Sequence, residues 1–509
     1  MSGKAKSRIK CTYKNKPHQL SQRSERATRI EEIVGGKQLS DELDKPCRSK
    51  FARDRDRIVF CKSYRRLIHK TQLYLPEHDD HRRTRLTHTL EVVQIARAIA
   101  KNLGMNEELV EAIAFGHDIG HAPFGHAGER ELDMLLKGEA LPRKLRERLE
   151  IKESDKVGDA DFQGDFKHNY QSVRVLTWLE KYHPDYTGLN LTIQTLEGIL
   201  KHSSINPILK EKKRFIFPGI SNGVFKYLDS NRPFSVTVEG QIVALADEIA
   251  QIVHDLDDAL RQRVIKMANL GDPIRKVMSK DEMRNIEAKT DNRNMLIAQM
   301  RAALLSHFIY KAIEQIGAAL DAVIKSSDFI KEDGNIKLKR LLLKKIGGSD
   351  PHKFELDDDA YRLLKDKRDE IILNQFDINR MDSKGQYLIR KLYDAYLSNP
   401  LQLPDNILCR YLDFKKFELS KNADDLKDWF TMKKKKYDIK LGLERADIVE
   451  LMNRIELAID GRDFRRLKRE LIEKWLPYMA VDGDFLRCIV DHIGNMTDLY
   501  ACEEVVKLY

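Results

Sequence analysis

The sequence predicts an all-α fold, and its periodicity and composition both support that prediction. Between Leu86 and Leu103 apolar side chains recur at spacings of three and four, which is the period of a helix with one buried face. The stripe consists of Leu90, Val93, Ala96, Ile99 or Ala100, and Leu103. Of the 509 residues 42% are hydrophobic and 33% are charged, with only 26 Gly and 14 Pro, which excludes collagen-like, low-complexity and disulfide-scaffold chains.

Further segments have the same helical patterning, and glycines lie where helices should end. The other helix candidates are Glu107–Phe115, Asn169–Tyr182, Leu191–Lys201 and Gly240–Arg261. Gly104 and Gly188 are placed to end helices or to separate them. One β feature interrupts the series, since aromatic-rich runs on both sides of Asn222-Gly223 predict a small hairpin.

Most of the net charge of +10 lies near the N-terminus, where the first thirty residues contain nine Lys and Arg but a single Glu. We interpret residues 1–45 as a basic arm, which is more often solvated than specific and would add only non-specific affinity for single-stranded nucleic acid. The six cysteines show no CxxC spacing, and no apolar run is long enough for a membrane span. Together these features predict a cytoplasmic protein with reduced thiols and no membrane partner.

The strongest chemical signal is the segment Gly116–Glu129, which packs three histidines, an aspartate and a glutamate into fourteen residues. Adjacent His117 and Asp118 at a helix end can direct an imidazole and a carboxylate at one divalent cation, which mixed nitrogen and oxygen ligands suit. Two more ligands are needed. His88 and Asp247 are candidates, because each is a lone polar residue among apolar neighbours in a predicted helix. Taken singly, each is more often a satisfied buried polar side chain.

These residues resemble the H…HD…D pattern of the HD-domain metal phosphohydrolases, and the flanking segments narrow the resemblance to the dGTPase family, related to the mammalian SAM- and HD-domain dNTP hydrolase. The segments that carry it are Asp54–Arg57, Ser63–Leu67, Lys70–Gln72, Arg83–Val92, His117–Glu129, Asn169–Arg174, Ala246–Ala250 with His254, Asp255 and Asp258, and Met496–Ala501. The resemblance implies an HD helical core over residues 46–265, with residues 266–509 as a C-terminal helical region that packs back on it.

The resemblance also implies a metal site and a catalytic group. One divalent cation, Mn²⁺ in the first place and Mg²⁺, Fe²⁺, Ni²⁺ or Zn²⁺ otherwise, would be held by His88, His117, Asp118 and Asp247. His126 would act as general acid and base, with Glu129 three residues later to orient it. His121 would belong to the phosphate or proton network. The alternative for His121 and His126 is a pair of capping residues beside a glycine turn.

Substrate contacts follow from the same resemblance. Arg85 would hold a phosphate beside the ion, Gln72 would reach the sugar or base edge, and Asp255 would accept from the 3′-hydroxyl. Asn169 also matches a substrate-site position, without an individual role. Without the motif, Arg85 and Asp255 would be interpreted as surface ion pairs and Gln72 as a solvated side chain.

One position departs from the family. Most relatives have a tyrosine four residues after the last metal ligand, where this chain has Gln251. That ring packs against the sugar and helps to exclude a 2′-hydroxyl, whereas an amide can hydrogen-bond to one. Selectivity for deoxynucleotides and for guanine is therefore open, and Tyr500 is a candidate to replace the missing ring.

The resemblance implies hydrolysis of a dNTP, dGTP first, to deoxynucleoside and inorganic triphosphate by attack of a metal-activated water at the α-phosphorus. It also implies a homo-oligomer, a tetramer or hexamer, and an activating nucleotide in some members. The alternatives are an HD phosphohydrolase of other nucleotide specificity and a nucleotide sensor or single-stranded nucleic-acid binder. The physiological role would be either balance of the dNTP pool or antiviral defence.

Overall fold

The structure is a computed structural model, and it describes nearly all of residues 48–72, 83–137, 166–181, 188–203, 234–266, 270–278, 292–324 and 354–411, and most of 469–509. Within these ranges every regular element is helical, and the extended pairings are isolated bridges such as Thr71–Thr84. The predicted all-α fold is confirmed. The hairpin predicted at Asn222-Gly223 and the basic arm of residues 1–45 lie outside the described residues. None of the described helices is long and apolar enough to cross a membrane.

The α-helices are numbered in chain order. They are α1 (Lys50–Phe60), α2 (Lys62–Arg66), α3 (Arg85–Leu103), α4 (Glu107–Gly116), α5 (Gly125–Leu136), α6 (His168–Arg174), α7 (Ile193–Leu200), α8 (Val238–Arg261), α9 (Gly271–Val277), α10 (Arg293–Ile324), α11 (Asp359–Lys367), α12 (Phe376–Ser398), α13 (Gly483–Gly494) and α14 (Asp498–Leu508). Short 3₁₀ turns cover Leu67–His69 and Pro400–Gln402, and π-helical turns cover Val175–Leu179 and Arg368–Ile372.

The described contacts fall into two compact units, and the domain boundaries at residues 45/46 and 265/266 stay predictions. The first unit takes its described residues from 48–120, 168–203 and 234–380. The second takes them from 121–137, 166–167, 381–411 and 469–509. In the first unit α8 packs against α3, α4, α7 and α10, and α4 packs against α1, α3 and α7. In the second unit α13 packs against α5.

Local sequence sets both ends of α3. The Thr84 hydroxyl accepts from the backbone N–H of Thr87, and the Thr87 hydroxyl accepts from that of Thr84, which closes a capping box. Gly104 ends the helix with φ of 68°, in the left-handed region that favours glycine. The predicted stripe is buried except for Leu90, which is 45% exposed. The prediction that Leu90 is buried is wrong. The buried face of α3 passes through His88 and Val92, and a residue two positions from each lies on the opposite side of a helix.

Helix α8 is the central helix of the first unit. Thr237 caps its N-terminus by accepting from the N–H of Gly240. From Val238 to Leu260 its residues are buried, apart from Asp247, Glu248 and Gln251. These three lie within about one turn of one another, and so they form one partly exposed strip on an otherwise enclosed helix.

Candidate metal centre and active site

The structure brings together the four predicted metal ligands, which come from three parts of the first unit. Nε2 of His88 on α3 lies 2.9 Å from Oδ1 of Asp247 on α8. Nε2 of His117, at the C-terminal end of α4, lies 3.7 Å from the same Asp247 oxygen. It also lies 3.4 Å from Oδ1 of Asp118. Two imidazole nitrogens and the Asp247 carboxylate therefore lie together between α3, α4 and α8, and the Asp118 carboxylate lies beside His117.

This arrangement of donors fits a divalent cation. Nδ1 of His117 donates to the Ala114 carbonyl at 2.7 Å, which leaves the lone pair on Nε2. That Nε2 is buried and makes no hydrogen bond within the described part of the chain. The donor atoms of His88, His117 and Asp247 form one close group, and the distances of 2.9 Å and 3.7 Å to Oδ1 of Asp247 are short enough for ligands at about 2.0–2.2 Å from one ion.

The charges in this cluster are strongly coupled. Burial alone would raise the pKa of Asp247, but His117 and His88 outweigh burial and hold it well below its ordinary value. Burial would lower the pKa of His117, but Asp118 and Asp247 raise it to about 9. The two carboxylates thus stabilise positive charge at the His117 imidazole, and a bound cation would compete with the proton for the same place.

Arg85 lies three residues before His88, at the first position of α3. Its Nη1 donates to Oδ2 of Asp118 at 2.9 Å, and the two side chains are only 3% and 5% exposed. The alternative interpretation of Arg85 as a surface ion pair is therefore wrong, because the pair is buried. Its Nε is buried with no hydrogen-bond partner among the described residues, so a donor remains beside the ligand set.

Helix α6 holds the turn that carries the HD pair. The Ser172 hydroxyl accepts from the N–H of Gly120 at 2.8 Å and donates to the carbonyl of His117 at 2.8 Å. A Cβ on Gly120 would lie 2.1 Å from the backbone nitrogen of Ser172 and 2.2 Å from the carbonyl oxygen of His168. Only glycine fits at this close approach of two backbones.

Replacing Gly120 with Ala should therefore destabilise the protein. The clash is with backbone atoms that cannot rotate away, so we expect a loss of about 3 kcal/mol or more, the upper part of the range for overpacking. Gly271→Ala is the matched control, since the nearest atom to its Cβ would be 3.9 Å away. Thermal melts should show a drop of several degrees for Gly120→Ala and almost none for Gly271→Ala. Equal melting temperatures for both variants would contradict the conclusion that only glycine fits at position 120.

The partly exposed strip of α8 contacts an aromatic side chain that was not selected from the sequence. The Tyr361 hydroxyl on α11 donates to Oε2 of Glu248 at 3.0 Å, and its ring contacts Phe308 edge-on at 5.5 Å between centroids. Gln251 lies three residues from Glu248 on the same strip. Tyr500, the candidate replacement for the missing ring, lies in the second unit on α14 and is 41% exposed. Only the amphipathic pattern of α11 could have pointed to Tyr361.

Asp255 lies two turns beyond Asp247 and is buried, so the alternative of a surface ion pair is wrong for it as well. Burial raises its pKa to about 7, with a further contribution from Asp258. The positive charges of Arg368, in the second π-helical turn, and of Arg83 oppose this shift. Near neutral pH the carboxyl group is therefore divided between its acid and its anionic form.

This shift gives Asp255→Asn a pH-dependent effect on stability. A carboxyl group with a raised pKa contributes full stability below its unfolded-state pKa, and loses it as pH rises through the folded-state value of about 7. We therefore expect metal-free Asp255→Asn to gain stability over the wild type at pH 8 relative to pH 5. The gain between pH 5 and pH 8 is at most about 3 kcal/mol, since the folded-state pKa of about 7 lies about two units above pH 5 and each unit corresponds to about 1.4 kcal/mol.

Thermal melts at the two pH values measure this effect. The charged groups that act on the pKa of Asp255 are Arg368 and Arg83, which lower it, and Asp258 and Asp369, which raise it. Asp359→Asn is the control, because the pKa of Asp359 is lowered by Lys276 and Arg362 and the group stays ionised at both pH values. A difference between wild type and Asp255→Asn that is the same at pH 5 and pH 8 would contradict the shift.

The predicted catalytic residues lie in the second unit. Helix α5 begins at Gly125, so His126 and Glu129 share a face, with Nδ1 and Oε2 3.8 Å apart. This separation is longer than a hydrogen bond, and Nζ of Lys167 lies 3.6 Å from the other Glu129 oxygen. His126 is 54% exposed in its side chain while Glu129 is buried. The rings of His121 and His126 contact each other edge-on, with centroids 5.4 Å apart.

The turn before α5 explains part of the C-terminal motif. Phe124 adopts φ of 62°, a left-handed conformation that is uncommon for a bulky residue. Its N–H donates to Oδ1 of Asp498, a buried residue at the start of α14, at 2.9 Å. Asp498 thus fixes the turn that leads into His126 and Glu129. The motif Met496–Ala501 was noted in the sequence, but Asp498 was not selected from it.

Two predicted substrate residues have different surroundings. Oε1 of Gln72 is buried with no hydrogen-bond partner within the described ranges, so the alternative of a solvated side chain is wrong for this atom. Asn169 donates from Nδ2 to the Leu200 carbonyl at 2.8 Å and accepts from the N–H of Tyr170 at 3.1 Å. These bonds link α6 to the end of α7, and a contact of Asn169 with substrate stays a prediction.

Further histidines surround the ligands and were not selected from the sequence. Nδ1 of His254 lies 3.2 Å from Nδ1 of His88, and Nε2 of His254 lies 2.6 Å from Oε2 of Glu91. Burial lowers the pKa of His254 to about 4 although Glu91 opposes the shift. The ring of His202 is 5.1 Å from that of His117, and its Nε2 is 3.2 Å from Nε2 of His168. His254 falls in a segment that carries the resemblance, whereas His202 had no signal.

Comparison with known proteins shows the family that the sequence resemblance implied. The HD domain model matches residues 85–252, which include all four predicted ligands. A deoxyguanosinetriphosphate triphosphohydrolase-like protein of Nitrobacter hamburgensis is 35% identical over 380 residues, covering 72% of this chain and 83% of the relative. Proteins of the same name from Wolinella succinogenes and Geobacter sulfurreducens are 39% and 33% identical, covering 59% and 70% of this chain and 77% and 80% of their own lengths. The chain therefore belongs to the deoxyguanosinetriphosphate triphosphohydrolase-like family of HD-domain hydrolases.

Proposed function

We propose that this protein is a metal-dependent dNTP triphosphohydrolase that converts dGTP and water to deoxyguanosine and inorganic triphosphate. The observation that carries the proposal is the convergence of His88, His117 and Asp247, with Asp118 beside His117 and Arg85 bonded to Oδ2 of Asp118. The names of the relatives support dGTP as substrate. The same ligand set alone would serve other phosphohydrolases, so the substrate follows from family membership and from the additional cation.

Each predicted site residue would have a defined role in the reaction. A divalent ion, Mn²⁺ first among the candidates, supplies Lewis-acid chemistry when bound, lowering the pKa of water and neutralising charge at phosphorus. Arg85 offers guanidinium donors to phosphate oxygens next to the ligands. His126 delivers a proton to the leaving 5′-oxygen, and Glu129 stabilises its protonated form. Asp255 accepts from the 3′-hydroxyl, and Gln72 and Gln251 contact the sugar or the base.

Product analysis tests the proposal. The protein with Mn²⁺ is incubated separately with each dNTP, with dNTP mixtures and with GTP, and nucleoside and inorganic triphosphate are quantified. We expect both products from dGTP. His126→Gln should form them about 10²–10⁴-fold more slowly, which is the contribution typical of general acid–base catalysis. Products formed only in mixtures would indicate an activating nucleotide. Absence of triphosphate from every substrate, with Mn²⁺ bound, would refute the proposal and favour a nucleotide sensor or another phosphohydrolase.

Gln251 provides a test of sugar selection. An amide on the exposed strip of α8 can hydrogen-bond a 2′-hydroxyl, whereas a tyrosine would exclude it, as in most relatives. We expect Gln251→Tyr to raise the ratio of kcat/KM for dGTP over GTP by at least about tenfold, the low end for a pocket that gains or loses a group. Gln251→Asn is the control that keeps the amide. An unchanged ratio in Gln251→Tyr would contradict a role of this position in sugar selection.

A further inference from the structure

We propose that Glu91 and His254 form a hydrogen-bonded chain that positions the ligand His88, so that both are positioning residues for the metal site. The inference rests on the metal site of the proposed function. It concerns residues that are not ligands and that lie outside the HD pattern.

The three side chains form a continuous series from the surface to the metal site. His88 is the inner end, with Nε2 directed at Asp247 at 2.9 Å. Its other ring nitrogen, Nδ1, lies 3.2 Å from Nδ1 of His254, and the two rings meet edge-on at 87°. Nε2 of His254 then lies 2.6 Å from Oε2 of Glu91. Both imidazoles are buried, while the Glu91 side chain is 40% exposed.

The positions of the protons in this series follow from the role of His88. A metal ligand must present a lone pair, so Nε2 of His88 is unprotonated and its Nδ1 carries the proton. Nδ1 of His254 must then accept, because two N–H groups cannot face each other. The proton of His254 is therefore on Nε2, where it is donated to the Glu91 carboxylate. Every donor in the series therefore meets one acceptor. Moving the proton of His254 to its Nδ1 would break the contacts with both His88 and Glu91.

The outer end of the series is also fixed. Nε of Arg83 lies 3.3 Å from the same oxygen of Glu91 that accepts from His254. The other guanidinium nitrogens of Arg83 donate to Asp258 and, at 2.7 Å, to Asp257 on α8. Glu91 is therefore held as an anion between α3 and α8. A carboxylate behind an imidazole fixes its tautomer and makes the ligand nitrogen more basic, which strengthens metal binding.

A purely structural role is the competing explanation, because the same contacts join α3 to α8. It predicts a loss of stability without a specific change in metal affinity. The positioning role predicts weaker metal binding with little loss of stability for a variant that keeps the shape of Glu91 but removes its charge. Glu91→Gln is that variant, since Glu91 is partly exposed and an amide oxygen can occupy the same place.

Calorimetric titration of the metal-free full-length protein with Mn²⁺ separates these cases. We expect the Kd of Glu91→Gln to rise by about tenfold and that of His254→Phe by up to about 100-fold, the range found for partners of ligand histidines. Glu107→Gln is the matched control, because Glu107 is 36% exposed and pairs with Arg97 at the far end of α3, away from His88. Its Kd should equal that of the wild type. Circular dichroism melts show whether each variant is folded.

The outcomes are distinguishable from failure of the metal site itself. If Glu91→Gln binds Mn²⁺ within about twofold of the wild type while His117→Ala does not bind, the positioning role is overturned and the metal site stands. If His117→Ala binds as the wild type does, the metal site and the proposed function fail together. The positioning role is supported if Glu91→Gln is folded and binds Mn²⁺ more weakly while the Kd of Glu107→Gln is unchanged. This holds even if His254→Phe does not fold.

Discussion

Asp247→Asn should abolish hydrolysis, lowering kcat/KM by at least about 1,000-fold. Oδ1 of Asp247 is the atom that both ligand imidazoles approach, at 2.9 Å and 3.7 Å. An amide at this place removes the negative charge that attracts a cation and can turn N–H donors towards His88. A bound cation stabilises charge at phosphorus by several kcal/mol, and about 1.4 kcal/mol is a tenfold change in rate.

Two measurements check this result. The first is the rate of triphosphate release from dGTP with Mn²⁺. The second is the shift of the melting temperature on addition of Mn²⁺, since a ligand at 100 times its Kd stabilises the folded state by about 2.7 kcal/mol. We expect a rise of several degrees for the wild type and none for Asp247→Asn. Asp357→Asn, at a carboxylate that is 81% exposed, is the control and should resemble the wild type in both assays. A variant Asp247→Asn with a tenth of the wild-type activity would exclude Asp247 as a ligand.

Arg85→Gln should separate metal binding from hydrolysis. Its guanidinium donates to Asp118 through the oxygen that is not directed at His117, so its loss leaves the Asp118 oxygen nearest to His117 in place. Removal of a positive charge beside the ligands does not weaken cation binding. The phosphate, however, loses charge-assisted donors within a buried site, and loss of one such donor costs about 10²–10³ in rate. We therefore expect a fall in kcat/KM of at least about 100-fold, with the Kd for Mn²⁺ within about threefold of the wild type.

The control for Arg85 lies on the same helix. Arg97 is 42% exposed and bonds to Glu107 and Glu111, so Arg97→Gln should change neither activity nor Mn²⁺ affinity. Arg85→Lys should restore only part of the activity, because a lysine ammonium lacks the planar pair of donors that matches a phosphate. Full activity in Arg85→Gln would remove the phosphate role. A joint loss of activity and Mn²⁺ binding would instead make Arg85 a support of Asp118.

The elements that the sequence predicted well are those set by short-range signals. The bounds of α3 follow from Thr84 and Gly104, whose side chain and backbone conformation act within one turn. The proximity of His117 and Asp118 follows from their adjacency at the end of α4. His88 and Asp247 were selected because each is a lone polar residue among apolar neighbours in a predicted helix, and the resemblance then joined them to His117 and Asp118. Leu90 was misplaced because periodicity gives a stripe, whereas packing against α4 and α8 decides which side of it is buried.

The sequence by itself thus determined the all-α class and the family, and it predicts the four metal ligands. Only the tertiary structure decided which side chains support them. The contact of His254 with His88, the burial of Asp255 beside Arg368, and the approach of Tyr361 to the strip of α8 join residues separated by about 100 or more positions. No local pattern encodes such pairs. They exist because α8 is enclosed by other helices, so each polar group on it must find a partner from a distant part of the chain.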